Sequence, residues 1–471
     1  MTDCIRITIS SQHEDAQTEL SLEKGESFFG VLQKAGFFDG ACCGGIGTCG
    51  QCKVQFLKEA PFPTPSDRRL LSPAQLREGW RLACKCKIVK DCVIAARQMR
   101  TTKKMDVQAG IIPEFLQTLP VSEGEAVVCD IGTTTIVMQR IDKQTHHVCA
   151  TYRTINPQRA YGSDVISRLQ AAMHGKDLRT DVISTLLEGA KQLEVDGEPI
   201  YVSGNTAMMY LLLGFDAGEL AHAPFRPSHL QFEKTCVDGL TLIFTPCLSA
   251  FVGGDIYAGM YEILQADRTG NQLLLDLGTN GEMVLLTEHA GYATATAAGP
   301  AFEGMATAGI WGADLIRYVA DAYEMGIVDA YGTFDETHEN GLQMGDVFLR
   351  QEDVRALQLA KAAVRAGIDV LLKKAQLTYE QIDSVYLAGG FGYYIDPLKA
   401  SLLGIFPKEL VARTIAIGNA SLWGSYAMAL QCPNDSQIRN RIKNTTVINL
   451  ANTQEFNEKY LNYINFPEIR K

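Results

Sequence analysis

Apolar and polar positions follow two different periods along this chain, and the points where the period changes mark its elements. Near the start, Ile5, Ile7 and Ile9 alternate with polar residues, which predicts a strand, and a second short strand is expected at 18–22. The stretch SFFGVLQKAG from Ser27 reads as a helix closed by Gly36. Residues 53–56 and 88–94 read as further strands. Far downstream, AVVCDIGTTTIVMQRID predicts two alternating strands joined by a turn at 130–135, and LLLDLGTNGEMVLL predicts a second such pair around 276–282. From Val354, the residues Leu357, Ala360, Val364, Ile368 and Leu371 keep a helical period. SVYLAGGFGYY then reads as a strand running into glycines, and GNASLWGSYAMAL from Gly418 as a turn followed by a helix of small residues.

A length of 471 residues exceeds one ordinary core, so two or three domains are expected. Apolar residues make up 46% and charged residues 21%, a soluble globular composition, and the net charge of −11 argues against nucleic acid as a partner. No apolar run approaches the roughly 18 residues of a membrane span. MTDCIRITIS has neither a basic start nor an apolar core nor a cleavage site, so a cytoplasmic location is expected. The thirteen cysteines are an odd number, and nothing indicates the oxidising compartment a disulfide framework needs. Metal ligation and buried thiols are the readings left.

The cysteines crowd. Cys42, Cys43, Cys49, Cys52, Cys84, Cys86 and Cys92 share one stretch, the first six within CCGGIGTCGQC and RLACKC. Cys43, Cys49 and Cys52 form C-x5-C-x2-C, and Cys84 follows after about thirty residues. Three thiolates on one glycine-rich loop and a fourth further on suit a [2Fe–2S] cluster of the plant type. Gly44, Gly45, Gly47 and Gly50 allow the sharp turns that aim backbone N–H groups at sulfur. A zinc knot is the alternative, but Cys84 and Cys86 are one residue too close for its usual C-x2-C pairs. Cys42, Cys86 and Cys92 read as packing thiols.

Each of the two hairpins centres on Asp-x-Gly-Thr: Asp130, Gly132, Thr133 and Thr134 in the first, Asp276, Gly278, Thr279, Asn280 and Gly281 in the second. Turn glycines free backbone N–H groups to face phosphate oxygens, and an aspartate at the strand end can hold hydrated Mg2+ between phosphates. A single Asp-Gly turn is common in plain hairpins. Two, about 146 residues apart in a chain with no Walker A sequence, imply two similar lobes clasping one nucleotide. Gly389, Gly390 and Gly392 fit a strand end against which an adenine ring lies, although taken alone a tight strand–helix turn explains them better. Asn205, Glu282 and Glu303 are further polar candidates, with a local turn role as the alternative for Asn205 and a solvent-facing or helix-capping role for the two glutamates.

These features together resemble the sugar kinase/Hsp70/actin superfamily. Asp130–Thr135 looks like its first phosphate motif, 276–282 the second and 387–392 the adenosine motif, with VGGDIYAG and GNASLWGS in the places of its two connecting segments. The pairing with an N-terminal ferredoxin is similar to the reductive activators of corrinoid proteins, and so are NPQRAYGSDVISRL, VSGNTAMM, AAGPAFEG, QEDVRALQLAKAAVRAG and LAGGFG. The fold expected is an α+β β-grasp ferredoxin domain at 1–96, a linker at 97–122, and a two-lobed α/β actin-like/Hsp70-like ATPase core. Lobe I is expected at 123–268, and lobe II at 269–471 with a C-terminal strand–helix tail.

The resemblance implies ATP, Mg2+ and a [2Fe–2S] cluster as cofactors. It also implies a low-potential electron donor, and a partner corrinoid protein of a methyltransferase system whose Co(II) is returned to Co(I). Asp130 and Asp276 would support Mg·ATP, Asp276 orienting the attacking water; a homodimer is the assembly considered. The alternatives are another low-potential metalloenzyme as target, a small-molecule kinase with a redox-sensing cluster, or a redox-gated binding module. One departure stands out: Gly304 is followed almost at once by MATAGIWGADLI, with Trp311 and Asp314 where the family has smaller residues after a further segment. The nearest approach to a cobalamin-ligating Asp-x-His-x-x-Gly is Glu336-Thr-His338-Glu-Asn-Gly341, whose acidic setting reads as a solvated loop.

Overall fold

A computed structural model of the chain describes residues 5–10, 17–23, 26–35, 52–95, 116, 118–162, 164–266, 269–278, 280–302, 310, 312–345, 347–392 and 394–468. The expected linker falls almost wholly outside them. The chain separates into two compact units, one of residues 1–107 with 157–181, the other of 108–156 with 182–471.

In the first unit, β1 (Ile5–Ser10), β2 (Gln17–Leu22), β3 (Lys53–Phe56), β4 (Trp80–Leu82) and β5 (Cys92–Ala95) form one sheet in the order β2-β1-β5-β3-β4. β1 runs parallel to β5 and antiparallel to β2. The helix Phe28–Lys34 lays Phe28, Phe29 and Leu32 onto Ile7, Ile9, Val54, Leu82 and Ile94, all buried. Side chains of this size contribute roughly 1.5–3 kcal/mol each on full burial. This is the β-grasp order expected of a ferredoxin. The last strand begins at Cys92, not at residue 88. Val89 is 85% exposed and Lys90 pairs with Glu59, so 87–91 is a surface segment outside the sheet, with Ile88 partly buried against the core.

Asp67 is fully buried and links this unit's parts. It closes a capping box with Thr64 and accepts the amide of Leu82 at 2.7 Å, fixing the segment that leads into Cys84. Residues 157–181, placed by the sequence reading within 123–268, group with the first unit. Their helix Val165–Met173 is capped by Asp164, and the buried Arg168 donates to the Gly162 carbonyl at 2.9 Å.

The second unit holds two six-stranded sheets of one design. β6 (Glu125–Ile131), β7 (Thr135–Asp142), β8 (Val148–Ile155), β9 (Ile200–Gly204), β10 (Thr235–Val237) and β11 (Leu240–Phe244) take the order β10-β11-β9-β6-β7-β8. The second sheet contains β12 (Gln272–Leu277), β13 (Asn280–Leu286) and β14 (Gly291–Ala297). A separate hairpin, β15 (Leu342–Met344) and β16 (Val347–Leu349), precedes β17 (Ser384–Ala388), β18 (Thr414–Gly418) and β19 (Thr446–Val447). The order is β18-β17-β12-β13-β14-β19. In both sheets an antiparallel trio is extended by two parallel strands: β11-β9-β6-β7-β8 recurs as β18-β17-β12-β13-β14. The two lobes inferred from two similar hairpins are therefore a repeated architecture.

The helix expected from Val354 runs over Gln351–Ala375 and buries Leu357, Ala360, Val364, Ile368 and Leu371 in the second lobe. Between the sheets, helices Gly254–Gln265 and Ala420–Ala429 pack closely, sharing a core of Ile256, Tyr257, Met260, Leu422, Trp423 and Tyr426. Their approach needs missing side chains. A Cβ on Gly424 would lie 1.9 Å from the Ala258 carbonyl oxygen. This is the small-residue contact that the segment from Gly418 promised. Among the described residues, no helix is long and apolar enough to cross a membrane.

Candidate functional site

The first turn is built by three strands. Gly132 N–H donates to the Thr135 carbonyl at 2.9 Å, and a Cβ on Gly132 would meet that same oxygen at 2.9 Å. The loop after β8 closes over the turn: Asn156 donates its side chain to Gly132 O at 2.8 Å and its amide to Thr134 O at 2.9 Å. Asn205, at the end of β9, caps helix Thr206–Leu213 through Met208 N and donates to Thr133 Oγ1 at 3.1 Å. It thus serves both the local turn and the candidate site. Glycines keep these segments in contact, since a Cβ on Gly204 would sit 2.6 Å from Ile131 O and one on Gly253 would sit 2.4 Å from Asn205 Cα.

The second turn repeats the first with one residue fewer. Gly278 N–H donates to Asn280 O at 2.8 Å; Thr279 lies outside the described residues. Gly281 is directed differently, its Cα facing Val364 and Thr296 within the packed layer. Gly389 adopts φ +83°, and a Cβ there would lie 2.6 Å from Asp276 Oδ1, so the end of β17 is cut back to seat this aspartate. Gly389–Gly392 forms a short helix directly after β17, and Gly392 backs onto Leu387.

Four carboxylates converge between the lobes. Asp130 ends β6, Asp276 ends β12, and Glu282 stands opposite Asp276 on β13. The fourth is Asp255, in the first turn of helix Gly254–Gln265, which sequence reasoning passed over inside VGGDIYAG. Burial, then repulsion from Asp130, pushes Asp276 up to about 7. Burial, then Asp276, does the same for Asp255. Glu282 is raised well above the carboxylate range by burial and by Asp255 and Asp276, against a hydrogen bond from Asn280. Asp130 is raised by burial, and hydrogen bonds from Asn419 and Ser421 oppose this.

No basic side chain figures among these influences. Carboxylates gathered so, beside turns that present N–H groups, are a donor set suited to a hydrated divalent cation and the phosphates it accompanies.

In the first unit, Cys52 is buried just before β3, and its carbonyl accepts Ala83 N–H at 2.7 Å. Cys84 follows in the turn Ala83–Lys85, so two cysteines far apart in sequence lie on neighbouring backbone. Cys43, Cys49 and their glycines lie outside the described residues, as do Cys42, Glu303, Gly304 and Trp311. Burial pushes Cys86 up to about 12 and Cys92 up to about 11, and Cys86 Sγ donates to Leu82 O at 3.4 Å. Both behave as protonated packing thiols. His338 sits in the turn Glu336–His338, bonded to Asp335 at 2.7 Å.

Residues 13–89 match the 2Fe-2S iron-sulfur cluster binding domain, 125–266 the RACo middle region, and 270–308 with 304–471 the C-terminal ASKHA domain of RACo. The last match breaks at the place where the sequence departs from the family. Corrinoid activation enzyme RamQ of Eubacterium limosum is 27% identical over 432 residues, covering 74% of this chain and 72% of that protein. The [Co(II) methylated amine-specific corrinoid protein] reductase of Methanosarcina barkeri is 23% identical over 410 residues, covering 71% and 76%. A solved reductive activator for corrinoid,iron-sulfur protein shares the fold over 98% of both chains, with a TM-score of 0.64 and 23% identity. With its ferredoxin domain followed by the RACo middle and ASKHA regions, the chain belongs to the RACo family of reductive activators.

Proposed function

We propose that this chain is an ATP-dependent reductive activator. It takes one electron from a low-potential donor and delivers it to the Co(II) corrinoid of a partner protein in a methyltransferase system, giving Co(I). Cys43, Cys49, Cys52 and Cys84 hold the [2Fe–2S] cluster, which supplies a one-electron carrier near about −400 mV. Co(I) is a stronger reductant still, and each roughly 100 mV of gap costs about 2.3 kcal/mol per electron. Binding or hydrolysis of ATP offsets that cost through the two-lobed core.

In this reading Asp130 and Asp276 support Mg2+ between the phosphates, and Asp276 orients the attacking water. Gly132, Thr133, Thr134, Gly278, Thr279 and Asn280 line the phosphates, with Gly389 and Gly390 beside the nucleoside. The thirteen cysteines fit a reducing compartment, the cytoplasm. The observation that carries the proposal is the convergence of Asp130, Asp255, Asp276 and Glu282 between two lobes of one architecture, in a chain that also brings Cys52 beside Cys84.

The test is anaerobic. The chain, with its cluster reconstituted, is mixed with reductant and a Co(II) corrinoid methyltransferase protein, and Co(I) absorption is followed with and without Mg·ATP. Appearance of Co(I) only with nucleotide supports the reading. Its absence across corrinoid partners, or phosphorylation of a small molecule instead, overturns it.

A further inference from the structure

Asp130 belongs to the first lobe, yet both oxygens of its carboxylate are held from the second. Asn419 Nδ2 donates to Oδ2 at 2.8 Å and Ser421 Oγ donates to Oδ1 at 2.8 Å. Both residues lie at the start of helix Ala420–Ala429, where Asn419 Oδ1 also caps the helix by accepting Leu422 N–H at 2.8 Å. The chain of bonds then returns to the first lobe. Ser203 stands beside Asp130 in the β6–β9 register, and its Oγ lies 2.7 Å from Ser421 Oγ.

Proton counting orders this chain. A hydroxyl has one proton, and Ser421 gives its own to the carboxylate, so the short bond between the serines requires Ser203 to donate and Ser421 to accept. Ser203 is fully buried and Ser421 nearly so, which leaves water little part in the arrangement. The direction Ser203 to Ser421 to Asp130 therefore runs from lobe to lobe and back at the helix that joins them.

We propose that Asn419, Ser421 and Ser203 are positioning residues that hold the Asp130 carboxylate in place. A hydrated cation arriving with ATP competes for the same two oxygens. Ligation draws one of them from Asn419 or Ser421 and loosens the first turn of helix Ala420–Ala429. Nucleotide occupancy is thereby passed to the contact between the lobes through a pair of hydrogen bonds. This rests on the reading that Asp130 serves Mg·ATP, and it assigns to Asn419, Ser421 and Ser203 a part that no phosphate motif gives them.

Asn419→Asp separates positioning from capping, because aspartate caps a helix as well as asparagine does. The change keeps the cap and sets a like charge against Asp130. Two readouts apply to the full chain: Mg·ATP affinity by titration, and hydrogen exchange of the amides at 419–425. In the parent, Mg·ATP should speed exchange there by about tenfold, the size expected for losing a charge-assisted hydrogen bond. Asn419→Asp should exchange without nucleotide as the parent does with it, and should respond to Mg·ATP less than about twofold.

Ser421→Ala should move the same way and serves if the first variant fails to fold. Combining Asn419→Asp with Asp130→Asn exchanges donor and acceptor and should restore slow exchange while abolishing the response to Mg2+. Single variants that bind Mg·ATP and respond as the parent does would overturn the positioning role alone. A parent that binds no Mg·ATP would remove this inference together with the functional reading beneath it.

Discussion

Asp276 faces Glu282 directly across the β12–β13 ladder, so two carboxylates share one register position on one side of the sheet. Like charges placed so are destabilising unless something neutralises them. Burial and mutual repulsion accordingly lift Asp276 and Glu282, together with Asp255, and favour their neutral forms. Asp255 enters from the helix that connects the lobes, and the site therefore draws on both.

Asp276→Asn should lower ATP hydrolysis by about 10²–10⁴-fold, the usual loss for removing a positioned acid–base group. Binding of ATP in the absence of Mg2+ should hold, because burial and repulsion already favour the neutral carboxyl that asparagine mimics. Phosphate release and nucleotide titration measure the two effects separately. Equal losses in both would assign Asp276 to binding and remove it as the residue that orients water.

The hairpins could be read from sequence because Asp-x-Gly-Thr turn chemistry is local: Gly132 and Gly278 make the bonds their own neighbours dictate. The long helix from Val354 and the small-residue contact at Gly424 were legible for the same reason, one through its period and the other through its composition. Asp255 was not, since its role arises only when a helix more than a hundred residues from β6 delivers it beside Asp276. Asn419 and Ser421 were visible only as a connecting segment, because the carboxylate they hold is 289 and 291 residues away. The start of β5 was misjudged because an apolar Val89 mimics strand alternation on a surface loop.

Cysteine substitutions should divide into two classes. Cys84→Ser, and equally Cys52→Ser, should abolish most of the visible absorption of the reconstituted cluster, since a thiolate ligand is lost. Cys86→Ser and Cys92→Ser should keep it, because burial holds both thiols protonated in the parent. Iron content and visible spectra after anaerobic reconstitution check this. Loss of the cluster in Cys86→Ser with retention in Cys84→Ser would reassign the fourth ligand.

Lys361 predicts a pH-dependent stability unconnected with the cleft. Its amine is buried, donates to the Asn465 carbonyl at 2.5 Å and lies 5.3 Å from the Phe466 ring centre. Burial, reinforced by Arg365, depresses it to about 7 from an ordinary 10.5. Between those values the unfolded chain holds the proton and the folded chain does not, so stability must rise with pH across the window. Below about 7 both states are protonated and the contribution stays constant. The denaturation midpoint of the parent should increase from about pH 7 to pH 9, and Lys361→Met should flatten that slope. An unchanged slope in the variant would show that another group titrates.

Gly424→Ala tests the contact between the two lobes directly. The added methyl would sit 1.9 Å from the Ala258 carbonyl oxygen, a backbone atom that no rotamer change can move aside. Helix Ala420–Ala429 must then shift away from helix Gly254–Gln265, opening a core that contains Tyr257, Leu422, Trp423 and Tyr426. Overpacking of this kind costs typically 1–3 kcal/mol, so a drop of about that size is expected in the stability of the ATPase region. Asn419 is carried on the same helix and would be pulled from Asp130, so the response of Trp423 fluorescence to Mg·ATP should weaken as well. Thermal unfolding and fluorescence titration read the two consequences independently. A variant as stable as the parent would mean that the helices can slide past each other without loss, in which case their close approach could not hold the lobes in register.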